Sequence, residues 1–151
     1  MYKVEHFGNN HNLTWELKNE SGHVFENKIY KAILKKLKSK ISEKRVFVMQ
    51  TQCSNDGGKD IVIRSFEDIE LFGVYYRLYD KNEITIYFEC KSTKNELRLE
   101  KIISNAVKSK YDKIDYFALI TNSTINPNTY FLIENELKPY NIEFILIDQY
   151  L

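Results

Sequence analysis

Three segments of the chain carry apolar residues at helical spacing. The first covers about residues 24–41, where apolar side chains recur every three or four positions and lysines fill the other side. The second follows Thr93 and Glu96, which together form a capping box. The third begins at Asn126, a capping residue that precedes a proline, and a later proline is expected to stop it near Leu137. The pattern therefore predicts three helices.

Short runs rich in β-branched and aromatic residues predict the strands. The main runs are Val46–Met49, Asp60–Arg64, Val74–Tyr79, Ile84–Glu89, Tyr116–Ile120 and Glu143–Ile147. A polar segment, Asp80–Glu83, separates the third run from the fourth and resembles the turn of a hairpin. A further short strand is expected at Leu13–Leu17. Strands that meet first in hairpins and later in helical crossovers predict an α/β fold, with a mixed sheet flanked by helices.

Length and composition indicate one folded domain that needs no crosslinks. The chain has 151 residues, 43% apolar and 28% charged, and a chain of this size can bury roughly 70% of its extended surface. The two cysteines, Cys53 and Cys90, form no CxxC pair, so neither a disulfide framework nor a zinc site is indicated. No apolar run approaches the roughly 20 residues that span a bilayer. Because the first residues also lack the pattern of a secretory signal, we expect a cytoplasmic protein with no membrane partner.

Charge is distributed unevenly along a chain whose net charge is only +1. Residues 26–45 carry eight basic residues against two acidic ones, whereas residues 112–151 carry two basic and six acidic residues. A basic helix face would attract a phosphate backbone through counterion release. A solvated helix face has the same pattern, so both interpretations stay open at this point.

The predicted strand that ends at Lys91 carries the candidate chemistry. Side chains alternate between the faces of a strand, so Glu89 and Lys91 share one face while Cys90 points to the other, apolar face. Asp60 opens an earlier strand, and if the two strands are neighbours, Asp60 and Glu89 can converge on one hard cation. A cation held there can activate water, and an ammonium beside it can stabilise charge on a phosphate. An ordinary surface pair is the alternative for Glu89 and Lys91.

Five short segments along the chain form a set. Phe25-Glu26 opens the first helix, Asp56–Asp60 leads into one strand, and Phe88–Lys91 ends another directly before a helix. Thr121–Ser123 and Ile147–Leu151 stand at the ends of the two last strands. Together these segments resemble the Mrr-like branch of the PD-(D/E)XK nuclease superfamily.

The resemblance covers the chain from about Gly22 to Leu151. It implies a restriction-endonuclease-like αβββαβαβ fold for residues 23–151, with residues 1–22 as an N-terminal extension. It also implies that this nuclease domain is one module of a larger protein. The segment Ser65–Asn82 is longer than the connection usual in the family.

Carried over position by position, the resemblance implies that Asp60 and Glu89 bind Mg²⁺, for which Mn²⁺ could substitute. Lys91 would assist the attacking water, and Glu26 would lie near the same site from the first helix. The backbone carbonyl of Cys90 would be a further metal ligand, while its side chain is expected in the core. The implied activity is that of a Mg²⁺-dependent deoxyribonuclease, an endonuclease that hydrolyses phosphodiester bonds of DNA.

The resemblance also implies a biological setting. Related modules act as effectors of restriction or anti-phage defence, so further domains or a sensor partner are expected. Because one such site cuts one strand, a homo-oligomer is expected in the active state. The alternative function is a catalytically inactive nuclease-like fold that serves as a nucleic-acid-binding or assembly module. RNA also remains open as the substrate.

Overall fold

A computed structural model of the chain describes residues 4–6, 22–51, 61–91, 104–106, 108, 111–121 and 125–148. The predicted strand at Leu13–Leu17 lies outside these residues, as do Asp60 and the capping box of Thr93 and Glu96. What the sequence predicts for this strand, for Asp60 and for the capping box therefore remains a prediction.

The helices occupy the segments that the apolar spacing indicates. Helix α1 covers Gly22–Lys36 and is followed by a short helix α2, Lys38–Ser42, so the predicted first helix is divided at Leu37. Helix α3 covers Pro127–Leu137 and passes into a 3₁₀ turn, Lys138–Tyr140. Residues 104–106 and 108 are also helical. None of the helices in the described ranges is long and apolar enough to cross a membrane.

Within the described residues there are eight strands, and six of them form one mixed sheet, which makes the fold α/β. The strands are β1 Val4–His6, β2 Val46–Gln50, β3 Ile61–Ser65, β4 Ile69–Leu71, β5 Val74–Tyr76, β6 Ile84–Lys91, β7 Tyr116–Thr121 and β8 Glu143–Asp148. The order in the large sheet is β1-β8-β7-β6-β3-β2. Strands β2, β3 and β6 pair antiparallel, whereas β6, β7, β8 and β1 pair parallel. The mixed sheet flanked by helices is thus confirmed.

The predicted hairpin around Asp80–Glu83 is wrong. Strand β6 pairs with β3 instead, with Ile86 opposite Ile63, and β5 pairs with β4 in a separate two-stranded sheet. Phe72 and Gly73 make the tight turn between β4 and β5, with φ values of 55° and 83°. Turns with positive φ are favoured in two-residue hairpins because their twist matches that of the paired strands, and a glycine supplies one of the two positions without strain.

The sheet separates two apolar cores because its side chains alternate between the faces. On one face, Phe25 and Ile29 of α1 pack with Ile86 and Phe88 of β6 in a core that we call the α1 core. On the other face, side chains of β7 and β8 pack with α3 in a core that we call the α3 core. Its strand and helix members include Tyr87, Phe117, Leu119, Tyr130, Ile133, Leu137, Phe144 and Leu146. Strand β6 contributes to both cores, and this alternation fixes the side on which Glu89 lies.

The N-terminus of α3 offers a direct test of the local sequence signals. Asn126 caps the helix by accepting a hydrogen bond from the Thr129 N–H at 2.9 Å. Asn126→Ala removes this acceptor and should lower the free energy of unfolding by about 1 kcal/mol, as measured by urea denaturation. Asn126→Asp retains a capping oxygen and should keep most of the stability. An equal loss in Asn128→Ala, an exposed position in the first turn, would contradict this role for the cap.

Candidate functional site

Glu89 is a fully buried carboxylate near the carboxyl end of β6. Its side chain is 0% exposed, and strand alternation puts it on the α3 side of the sheet with Tyr87 and Lys91. In the parallel pairing of β6 with β7, Glu89 is opposite Leu119, and Lys91 is opposite the buried Thr121. In open α/β sheets, ligands bind outside the carboxyl ends of the strands. Glu89 and Lys91 lie at such an end.

Two side chains hold the carboxylate in place. The Asn105 amide donates a hydrogen bond to Glu89 Oε1 at 2.6 Å, and Lys91 Nζ lies 3.5 Å from the same oxygen. Burial of a charged group without such partners destabilises the folded protein by roughly several kcal/mol, because the group loses its hydration. The Asn105 amide and the Lys91 ammonium offset part of this cost.

Lys91 connects this buried group to solvent. Its side chain is 28% exposed, whereas that of Glu89 is 0% exposed. The ammonium is therefore partly hydrated on one side and faces a carboxylate on the other. A bound anion could approach Lys91 from the open side without passing through the core, and Lys91 would then donate to both groups.

Glu26 lies in a different environment from Glu89. It accepts a hydrogen bond from the Gln50 side chain at 2.6 Å, and the same amide group donates to Asn27 at 2.8 Å. In β2, Gln50 points to the same face as Val46 and Val48, which belong to the α1 core or pack against it. The structure thus links Glu26 with Gln50 on the α1 side of the sheet, whereas Glu89 faces the α3 side.

Asp60 and Cys90 are the remaining sequence-predicted site residues. Asp60 lies outside the described residues; the next residue, Ile61, opens β3 and is paired with Phe88, the residue before Glu89. The half-buried Cys90 side chain packs against the α1 core, which agrees with its predicted place as a small apolar residue. Its carbonyl stays a predicted metal ligand.

The donor chemistry of the described site suits a hard cation only in part. A carboxylate such as Glu89 is the oxygen ligand that Mg²⁺ prefers. Within the described ranges, however, no three side chains of His, Cys, Asp or Glu gather in a way that could hold a metal ion. A metal at Glu89 would thus need Asp60 as a second acidic ligand, as the sequence predicts.

Sequence reasoning did not identify Asn105. It is 7% exposed and belongs to the helical residues 104–106, beside Ala106 of the α3 core. The usable signal was an amide residue at the border of the apolar stripe of the predicted second helix, where a polar side chain needs a buried partner. Nothing in the sequence alone indicates that this partner is Glu89.

The basic segment of α1 and α2 is partly neutralised within the protein. Lys36 pairs with Glu70 at 3.0 Å, and Lys40 and Arg45 both pair with Glu67. The hydrogen bond from Lys40 holds the pKa of Glu67 below its ordinary value. These three cations therefore have structural partners, while Lys31, Lys35 and Lys38 of the same two helices are exposed.

No protein-family model matches the chain, and a search of curated proteins finds no significant match.

Proposed function

We propose that this chain is a metal-dependent endonuclease that hydrolyses phosphodiester bonds of DNA. The observation that carries the proposal is the buried Glu89 beside Lys91 at the carboxyl end of β6. A carboxylate and an ammonium two residues apart are the pair that the Mrr-like PD-(D/E)XK resemblance requires at this position. The order of helices and strands and the mixed sheet are compatible with the restriction-endonuclease-like fold that belongs to that proposal.

In this proposal, Glu89 and Asp60 are the acidic ligands of one Mg²⁺ ion. The ion supplies a Lewis acid for the phosphoryl oxygen and lowers the pKa of a bound water. Asn105 orients Glu89 by its hydrogen bond to Oε1. Lys91 donates hydrogen bonds to the attacking water or to a phosphate oxygen, because its side chain reaches solvent.

The wider role proposed here is that of an effector module. DNA is the partner, and its backbone is attracted by the exposed lysines of α1 and α2. A double-strand break needs two copies of the site, so the active form is a homo-oligomer. A sensor partner or further domains supply the trigger for restriction or anti-phage defence in the cytoplasm.

One observation favours an inactive nuclease-like fold that binds nucleic acid or organises an assembly. Glu89 already has partners in Asn105 and Lys91, so the carboxylate is compatible with a purely structural network. In that case the chain shifts the mobility of DNA in a gel without cutting it. Plasmid cleavage and thermal denaturation with metal therefore distinguish the two functions.

Cleavage of supercoiled plasmid in Mg²⁺ tests the role of Lys91. Lys91→Ala should lower the cleavage rate by about 10²–10³-fold, since it removes one donor to the developing charge. The exposed lysine variant Lys138→Ala should cut like the wild type. Melting curves must show that Lys91→Ala is folded, because loss of the cation leaves Glu89 with one fewer partner. If a folded Lys91→Ala cuts at the wild-type rate, Lys91 has no part in catalysis.

Thermal denaturation with and without divalent metal tests the ligand role of Glu89. Mg²⁺ or Mn²⁺ at about 100 times Kd should stabilise the wild type by about 2.7 kcal/mol relative to EDTA. Glu89→Gln keeps an oxygen for the Asn105 amide but loses the charge, so its melting temperature should not respond to metal. Asp60→Asn should lose the same response. A full metal response in both variants would exclude these two residues as ligands.

A further inference from the structure

A cavity of about 280 Å³ lies at the opposite end of the sheet from Glu89. It is built where β6, β7 and β8 begin, and the loop that follows β5 lines one side of it. Along β6, the five residue-to-residue steps from Ile84 to Glu89 span about 17 Å, so this cavity is separate from the candidate catalytic site. The residues that line it include Arg77, Tyr79, Lys81, Asp115, Asn141 and Glu143. Pockets that bind small molecules usually have volumes of about 300 Å³ or more. A ligand of this cavity is therefore a small molecule.

The loop on the rim is held in one conformation by hydrogen bonds to the rest of the fold. The Tyr116 hydroxyl accepts from the Arg77 N–H and donates to the Arg77 carbonyl, both at 3.0 Å. The Leu78 N–H donates to Asp68 at 2.8 Å. Burial raises the pKa of Tyr116, which keeps its hydroxyl proton in place as a donor. A rim fixed in this way loses little entropy when a ligand binds.

Tyr79 presents an aromatic ring to the cavity from an unusual backbone conformation. Its φ is 55°, a value that is rare for a bulky residue, and its side chain is 78% exposed. An apolar ring so exposed does not contribute to the core. Strain that persists at an exposed aromatic residue is typical of functional positions. The ring is available to stack on a planar group.

Two cations line the same cavity as Tyr79. The Arg77 guanidinium lies 5.5 Å from the Tyr75 ring centroid and forms no ion pair with any residue that the structure describes. Lys81 pairs with Asp115, whose second oxygen accepts the Thr85 N–H at 2.8 Å. Asp115 therefore fixes the position of Lys81, while Arg77 keeps its planar set of donors for a carboxylate or phosphate.

The other charges of the cavity select against a bare anion. Asp80, Asp115 and Glu143 oppose the two cations, so an inorganic anion gains little net attraction. A ligand that carries both hydrogen-bond donors and an anionic group can pair its donors with the carboxylates and its anionic group with the cations. Glu143 and Asn141 supply a carboxylate and an amide for such donors.

We infer that this cavity is a binding site for a nucleoside monophosphate. The base stacks on Tyr79, the phosphate pairs with Arg77 and Lys81, and an amino group of the base donates to Glu143. Stacking on aromatic rings and bidentate contacts of arginine with phosphate are established modes of nucleotide recognition. The site does not depend on the nuclease proposal, because none of its residues lies near Glu89.

Calorimetric titration of the full chain in EDTA tests the inference. The probes are AMP, GMP, CMP and UMP, with the matching nucleosides and inorganic phosphate as partial ligands. At least one monophosphate should bind with one-to-one stoichiometry, and its nucleoside and inorganic phosphate should each bind at least about tenfold more weakly. Absence of binding by all four monophosphates at millimolar concentration would overturn the inference. Equal binding by inorganic phosphate would reduce the site to an anion site and would also overturn it.

Two variants assign the binding to this cavity. Arg77→Ala and Tyr79→Asn should each weaken nucleotide binding by about tenfold or more. Asparagine tolerates the left-handed backbone at position 79, so this variant removes the ring with little effect on the fold. Arg64→Ala is the matched control, since Arg64 is an exposed arginine that pairs with Glu83 elsewhere on the surface. Nucleotide binding that survives in both Arg77→Ala and Tyr79→Asn would show that another site binds it.

Discussion

The alternation of side chains along β6 is the constraint on which the rest of the molecule depends. This strand pairs antiparallel with β3 and parallel with β7, so both of its edges are hydrogen-bonded. Ile86 and Phe88 face the α1 core, while Tyr87 faces the α3 core. A shift of register by one residue would exchange the two sets and bring Glu89 into the α1 core. The packing of two cores therefore also determines where the buried carboxylate lies.

Burial of a carboxylate such as Glu89 is costly, and two polar neighbours limit that cost. Asn105 donates at 2.6 Å and Lys91 stands at 3.5 Å, and both contact the same oxygen. An apolar side chain of similar volume would pack there with no desolvation penalty. A carboxylate at this position thus contributes less to stability than such a replacement would. This imbalance is typical of groups that serve binding or catalysis rather than folding.

The sequence predicts most of the large sheet because its strongest signals are local. Apolar spacing and the Asn126 cap locate α1 and α3, and the strand runs locate five of the six described strands of the large sheet within a few residues. Strand β1, Val4–His6, was not predicted. The pairing partners were less predictable, since the polar segment Asp80–Glu83 resembles a hairpin turn while the actual turn uses Phe72 and Gly73. Strand alternation predicts that Glu89 and Lys91 share a face, but the Asn105 contact depends on tertiary packing, which no local pattern encodes.

The two ends of β6 differ in the kind of chemistry they offer. At its carboxyl end, one buried acid and one partly exposed amine face the α3 side. At its amino end, the cavity has an exposed ring and a guanidinium that no described residue neutralises. Strand β6 is paired with β3 on one edge and with β7 on the other. A ligand bound at one end of β6 can therefore affect the site at the other end only by changing the populations of conformations that both sites share. The loop from Arg77 to Lys81 is held against β7 by the two hydrogen bonds of the Tyr116 hydroxyl, so the ring and the guanidinium have fixed places on the rim of the cavity.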